Sequence, residues 1–135
     1  MSNARLLGDI ISTDGSIQPL SYAETYVAVT STGNATTTNC ETGNTFSHVL
    51  TENTTFTFSN PPATGIAYAM SVEIIQDAGA SGFTVTWPSS VDFPAATATV
   101  ITATASAIDV FVFTSRDGGT TLYGFTAGQA IATPA

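Results

Sequence analysis

The chain has 135 residues and a mass of 13.8 kDa, which is the size of one ordinary domain. Only 9% of the residues are charged, and 10 acidic against 2 basic residues give a formal net charge of −8. Because no basic stripe is available to neutralise phosphates, nucleic-acid binding is excluded, and an anionic membrane surface is expected to repel the protein. A hydrophobic content of 43% favours a folded core over a disordered chain.

Residues 1–20 differ in character from the rest of the chain. Their apolar run is split by Gly8 and Asp9, so we predict neither a signal peptide nor a membrane span. The segment is too apolar for a solvated tail and too broken by glycine and proline for a core strand. We therefore predict an extended N-terminal arm that anchors the protein to another copy or to another protein of its assembly. The side chains expected to make these contacts are Leu6, Leu7, Ile10, Ile11 and Ile17.

Residues 21–135 are predicted to form a single β-rich module. Short β-type runs separated by turn residues fill this region, and no sustained helical periodicity occurs in it. The alternation is clearest where Phe56 and Phe58 share one face of a run whose other face carries threonines. The predicted strands are Tyr22–Thr30, Thr36–Glu41, Phe46–Leu50, Thr54–Ser59, Ala67–Gln76, Phe83–Trp87, Ile108–Thr114 and Leu122–Ala127.

The residues between these runs support the strand assignment. Asn60–Pro62 cannot continue a ladder because proline lacks a donor, and Asp117–Gly119 suits a tight hairpin. Ala95–Ala107 has almost only small side chains and is predicted to be an edge strand or a closely packed strand. The whole pattern predicts an all-β fold, an antiparallel β-sandwich or jelly-roll-like arrangement of about seven or eight strands. The predicted core consists of Phe56, Phe58, Val72, Ile74, Val85, Phe111 and Phe113.

Residues for catalysis or metal binding are scarce. His48 is the single histidine, lies in a strand-like run and is expected to be half-exposed, with no nucleophile elbow in the chain to accompany it. Cys40 is the single cysteine, so neither an intrachain disulfide nor a cysteine-based zinc cluster can form. The acidic residues are better explained as solvated carboxylates than as a catalytic pair. We therefore predict a protein that is not an enzyme, with no catalytic residues, no cofactor and no metal.

Two aromatic residues could contact a sugar. Trp87 and Tyr123 each combine a flat ring with a polar group, which suits stacking on a sugar ring at a partly wet surface. Trp87 also lies in register with Phe83 and Val85, so a place in the core is the alternative. Arg116 is read as a turn residue with Asp117 as a local charge partner.

Three segments resemble a β-rich module of virion structural proteins in tailed bacteriophages. They are TGNTFSHVLTENTTFTFSNPPATG, GFTVTWPSSVDFP and DVFVFTSRDGGTTLYGFTAGQA, at residues 42–65, 82–94 and 109–130. Their most specific parts are the TVTWP run and the order DVFVF, DGGTT and YGF. The opening SNARLLGDII is also similar to the leader that precedes such modules in longer phage fibre proteins.

The resemblance implies a non-enzymatic virion protein, made in the host cytoplasm and displayed on the particle exterior. It would be a small capsid decoration, or a short fibre or appendage component, because one arm and one module leave no room for a long shaft. The expected partners are other copies in a homotrimer and other capsid or tail proteins. The alternative is a receptor-binding or carbohydrate-binding tip of a tail fibre, whose partner would be a host surface glycan.

Overall fold

The computed structural model describes residues 21–132, so the predicted arm lies outside the described residues. Within that range the chain forms nine strands and one 3-10 turn, and the all-β prediction is confirmed. The strands are β1 (Tyr26–Val29), β2 (Ala35–Asn39), β3 (Thr45–Val49), β4 (Thr54–Ser59), β5 (Tyr68–Ile75), β6 (Val85–Thr86), β7 (Val91–Asp92), β8 (Ile108–Ser115) and β9 (Leu122–Ile131), with the 3-10 turn at Pro94–Ala96.

The first six strands alternate between two sheets. Strands β1, β3 and β5 lie in a six-stranded sheet of order β1-β3-β5-β8-β9-β7, and β2, β4 and β6 form a three-stranded sheet. The chain therefore coils, and each coil consists of one strand from each sheet. A turn in which Gly33 and Asn34 have φ values of 62° and 64° joins β1 to β2, and it uses the left-handed conformation that these residue types tolerate.

The prediction of antiparallel pairing throughout is wrong. The pairs β1–β3, β3–β5, β2–β4, β4–β6 and β7–β9 are parallel, and only β5–β8 and β8–β9 are antiparallel. Strands β7 and β9 are parallel with β8 between them in sequence, and for the four parallel pairs among β1 to β6 the physical reason is the alternation between sheets. Strands that pair are separated by a whole coil, so they run in the same direction, whereas a hairpin between consecutive strands would reverse them.

Strands β8 and β9 form the antiparallel part of the large sheet, and they lie beside the coiled strands. Strand β8 pairs with β5 along its length and is joined to β9 by residues 116–121, where Gly118 and Gly119 have positive φ as the hairpin prediction requires. The two-residue strand β7 adds to β9 in parallel and is too short to be detected from alternation. At Gly124 a Cβ would lie 2.8 Å from Val91 and 2.9 Å from Phe93, so glycine allows this edge to pack closely.

Aromatic side chains fill the space between the two sheets. Trp87 follows β6 directly, and its ring centroid lies 5.0 Å from that of Phe56 on β4 and 4.9 Å from those of Phe111 and Phe113 on β8. Phe58 and Phe113 meet across the sheets at 5.0 Å. Most of the predicted core is buried, and Phe58 and Val85 are partly buried against it. The core therefore holds the small sheet against the antiparallel strands of the large one.

The small-residue segment 95–107 is not a strand, contrary to the prediction. A short 3-10 turn begins it, and residues 97–107 have no ladder partner among the described strands. Two buried polar side chains bind its backbone instead. Asp109 accepts hydrogen bonds from the backbone N–H groups of Thr102 at 2.7 Å and Ala130 at 2.9 Å, and Gln76 donates to the Thr102 carbonyl at 3.2 Å. Side-chain hydrogen bonds replace the ladder here, which small residues permit by close approach.

Replacing Phe111 with alanine should lower the free energy of unfolding by about 3–5 kcal/mol, because the ring is fully buried and leaves a cavity. Urea unfolding measures this loss. The control is Val112→Ala, the next residue on the same strand, which is only partly buried and should cost clearly less. Equal losses for both variants would contradict the assignment of the inner and outer faces of β8.

Replacing Asp109 with alanine should lower the free energy of unfolding by about 2–3 kcal/mol, because the backbone N–H groups of Thr102 and Ala130 lose their shared acceptor. Urea unfolding again gives the value, with Glu41→Ala at an exposed position as the control. An Asp109→Ala variant as stable as the parent would show that other contacts hold residues 97–107.

Candidate functional site

The outer face of the six-stranded sheet is the most unusual surface of the described chain. Successive residues of β5 and β8 alternate between buried positions in the core and partly exposed positions on the other side. The outward residues form rows that cross the sheet from strand to strand. No layer of the described chain covers these rows, because the small sheet packs on the opposite side.

One of these rows is entirely aliphatic. Val49 on β3 pairs with Ile75 on β5, Ile75 pairs with Ile108 on β8, and Ile108 pairs with Ile131 on β9. Val49 is 52% exposed and Ile131 is 45% exposed at the two ends of the row. Four branched aliphatic side chains in a continuous row form an apolar strip of the kind that marks interaction surfaces.

A second row is aromatic at both ends. Tyr26 on β1 is 60% exposed, and Phe125 on β9 is 48% exposed beside its cross-strand partner Val112. The Tyr26 hydroxyl is hydrogen-bonded to Ser47 Oγ at 2.7 Å, which holds the ring against the sheet. Exposed aromatic rings fixed on a rigid sheet are typical of protein interfaces, because little side-chain entropy remains to be lost on binding.

The two outer faces of the protein differ in chemistry. On the large sheet, Glu73 and Asp92 are the charged residues that the described strands place on the outward face. On the small sheet, the outward positions are occupied mainly by threonine, and Thr55 and Thr57 are exposed while Phe56 between them is buried. The large outer face also carries hydroxyl groups, at Thr45, Ser47, Ser71 and Thr114, but its continuous aliphatic row has no counterpart on the small sheet and is the part suited to an apolar contact.

A groove of about 440 Å³ lies at the end of the large outer face that is opposite the aliphatic row. Ala69, Thr114 and Tyr123 form a cross-strand row on its floor. Its remaining lining residues are Ala67, Tyr68, Ser115 and Arg116. The two alanines leave the space that larger residues would fill, and this volume is in the range of small-ligand sites.

The loop beside the groove is held by hydrogen bonds of its own. Asp117 Oδ1 accepts from the Thr121 N–H at 3.0 Å and from Ser115 Oγ at 3.1 Å, and the N–H of Gly65 donates to the Arg116 carbonyl at 2.9 Å. The hydrogen bond from the Thr121 N–H, together with that from Ser115, holds the pKa of the Asp117 carboxyl below its usual value. The expected pairing of this carboxylate with Arg116 is thus replaced by binding within the loop.

The structure separates the two residues that the sequence suggested for sugar contact. Trp87 is only 9% exposed, and Phe56, Phe111 and Phe113 pack around its ring, so it lies in the core. Tyr123 is 46% exposed and lines the groove. The arm residues predicted for assembly, Leu6, Leu7, Ile10, Ile11 and Ile17, lie outside the described residues.

His48 is buried rather than half-exposed, which corrects the expectation from its strand. Its Nδ1 lies 3.0 Å from the Val29 carbonyl, to which it donates, and its ring meets Phe56 edge-on at 5.7 Å between centroids. The inward position on β3 places it between the sheets, where only 1% of the residue is exposed. It is therefore a packing residue with one hydrogen bond.

The groove and the aliphatic row were not predicted as sites. The row consists of residues at the ends of strands in four different parts of the chain. The one signal in the sequence is the apolar run Val110–Phe113 of β8, which indicates burial of both faces but does not identify the partner. Arg116 and Tyr123 lie on either side of a hairpin, so their proximity depends on its loop geometry.

Known proteins offer no guide to this site, since no family model, curated protein or solved structure matches the chain. Over residues 21–132, no helix has the length and hydrophobicity needed to cross a membrane. The same residues contain no cluster of three or more histidine, cysteine, aspartate or glutamate side chains able to hold a metal ion.

Proposed function

We propose that the protein is a non-enzymatic structural component of a tailed-bacteriophage virion, displayed on the particle exterior as a homotrimer. It serves as a capsid decoration or as a short fibre or appendage component, in contact with other capsid or tail proteins. The observation that carries this proposal is the aliphatic row Val49, Ile75, Ile108 and Ile131 on the outer face of the six-stranded sheet. A protein with so few charges gains by burying such a face against other copies.

Charge distribution supports contact between copies through this face. Each subunit has a net charge of −8, so copies repel one another at long range. The large outer face carries few charges, and burying it desolvates few of them. The small sheet carries no charge in its strands, so it is the aliphatic row that distinguishes the large face, where short-range apolar contact can exceed the screened repulsion.

The segments that carry the phage resemblance include part of the large sheet, and Val49 is the residue of the aliphatic row that lies within them. They contain β3 and β4, then β6 and β7, then the β8–β9 hairpin. The subunit is proposed to be a sandwich of the two sheets, supported by the aromatic contacts between them. In this arrangement one face of the large sheet packs against the small sheet in the core, and the other face contacts other copies.

The second candidate function is that of a receptor-binding or carbohydrate-binding tip. The groove lined by Tyr123 and Arg116 favours it, because an exposed aromatic ring beside a polar group suits a sugar. The groove lies about 20 Å along β8 from the aliphatic row, at 3.3 Å per residue, so one face can serve both purposes. The two functions are compatible in a single exterior protein.

The purified protein should be a trimer at micromolar concentration, with a mass near three times the 13.8 kDa subunit by light scattering. Val49→Glu should reduce the mass toward that of one subunit, because it places a charge in the aliphatic row. Its control, Thr57→Glu, adds the same charge to a residue of similar shape on the other outer face and should remain trimeric. A parent protein with the mass of one subunit would overturn the assembly proposal, and dissociation of both variants would overturn its location.

Deleting residues 2–18 should leave the β-module folded by circular dichroism while abolishing its incorporation into particles, if the arm is the anchor. A full-length variant with Leu6, Leu7, Ile10, Ile11 and Ile17 replaced by serine separates the loss of apolar contacts from the loss of length. Both variants should fail to decorate virions. If either decorated them at the parental copy number, the docking surface would have to lie on the module.

A further inference from the structure

The groove at the end of the large outer face has the features of a built binding site. Its floor is the rigid cross-strand row Ala69, Thr114 and Tyr123, and one wall is the start of the β8–β9 loop. The loop is held by hydrogen bonds from Ser115 and Thr121 to Asp117. A ligand that enters would therefore meet side chains on elements that are ordered beforehand, which lowers the entropic cost of binding.

Arg116 gives the groove a charge opposite to that of the whole molecule. It is the one basic residue in positions 21–132 and the one charged residue lining the groove. The neighbouring Asp117 carboxylate is bound within its loop and does not line the groove. A guanidinium group presents paired N–H donors that match the geometry of a carboxylate.

Tyr123 supplies a stacking surface beside this cation. Its side chain is 46% exposed and stands on the outward face of β9. The C–H groups of a pyranose ring can lie on the electronegative face of such an aromatic ring. Tyr68 also lines the groove but packs against the core, and its hydroxyl donates to the Gly43 carbonyl at 2.9 Å.

From this juxtaposition we propose that the groove binds a sugar unit bearing a carboxylate, with the pyranose on Tyr123 and the carboxylate on Arg116. The proposal rests on the carbohydrate-binding candidate function and names its ligand class. A doubly charged phosphate is less suited, because one arginine must offset the field of a strongly acidic protein. Asp92 lies beside Tyr123 on β7 and lines a different hollow, so the carboxylate must face the Arg116 end of the groove.

The test uses the full-length protein and ligand pairs that differ only at C6 of the sugar. Methyl galacturonoside and methyl galactoside, and the corresponding glucuronoside and glucoside, are titrated at low ionic strength while the protein NMR spectrum is recorded. In at least one pair, the acidic sugar should bind about tenfold more tightly than the neutral one, the gain expected from one charge-assisted hydrogen bond. Acetate serves as the carboxylate alone and should bind more weakly than the acidic sugar.

Three variants test whether Arg116 binds the carboxylate and whether Tyr123 contacts the pyranose ring. Arg116→Gln should remove the preference for the acidic sugar, and Tyr123→Ala should weaken the binding of both sugars of the pair. Tyr26→Ala removes an exposed tyrosine from the same sheet face outside the groove and should change neither affinity.

Equal affinity within both pairs, no binding of any sugar, or acetate binding as tightly as the acidic sugar would overturn the proposal. A preference that survives Arg116→Gln would do the same. None of these outcomes changes the mass expected from light scattering or the expected incorporation into particles. A failure of the groove proposal can therefore be distinguished from a failure of the assembly proposal.

Discussion

Trp87 contacts aromatic residues of both sheets, and the arrangement of the described chain depends on that layer of rings. Phe58 and Trp87 reach the rings of β8 in the large sheet at centroid distances near 5 Å, and Phe56 on the small sheet packs on Trp87 at a similar distance. Strands β1 to β6 alternate between the two sheets. Each coil therefore places inward-facing side chains against this layer of rings. The rings therefore hold together strands that share no ladder hydrogen bonds.

The same packing leaves each sheet with one face free, and the two free faces have different chemistry. Threonine hydroxyls on the small sheet can remain hydrated, whereas the row Val49, Ile75, Ile108 and Ile131 on the large sheet keeps aliphatic surface in water. At the far end of that face the surface changes again, to the groove with Arg116 and Tyr123. Apolar contact and polar recognition thus occupy separate parts of one sheet.

Alternation in the sequence predicts which residues are strands and which face the core, but not which strands are partners. Phe56, Phe111 and Phe113 are buried as predicted, because their periodicity reports burial directly. Parallel pairing was missed because it depends on the path of the chain between sheets.

Local pattern was insufficient where a distant side chain decides the conformation. Residues 97–107 have strand-like composition, yet Gln76, which lies 26 positions before Thr102, donates to the Thr102 carbonyl, while the nearby Asp109 accepts from the Thr102 N–H. The same holds for the groove: Tyr123 was predicted as a sugar contact, but its position beside Arg116 follows from the loop that Asp117 organises.

The central claim is that the aliphatic row on the outer face of the six-stranded sheet is buried between copies. Relaxation of methyl signals by a soluble paramagnetic agent tests it most directly, on protein labelled at isoleucine and threonine methyl groups. The account predicts that the methyl groups of Ile75, Ile108 and Ile131 are shielded from the agent while those of Thr55 and Thr57 are strongly relaxed. Strong relaxation of Ile131 equal to that of the two threonines, at a concentration where the protein is oligomeric, would contradict it.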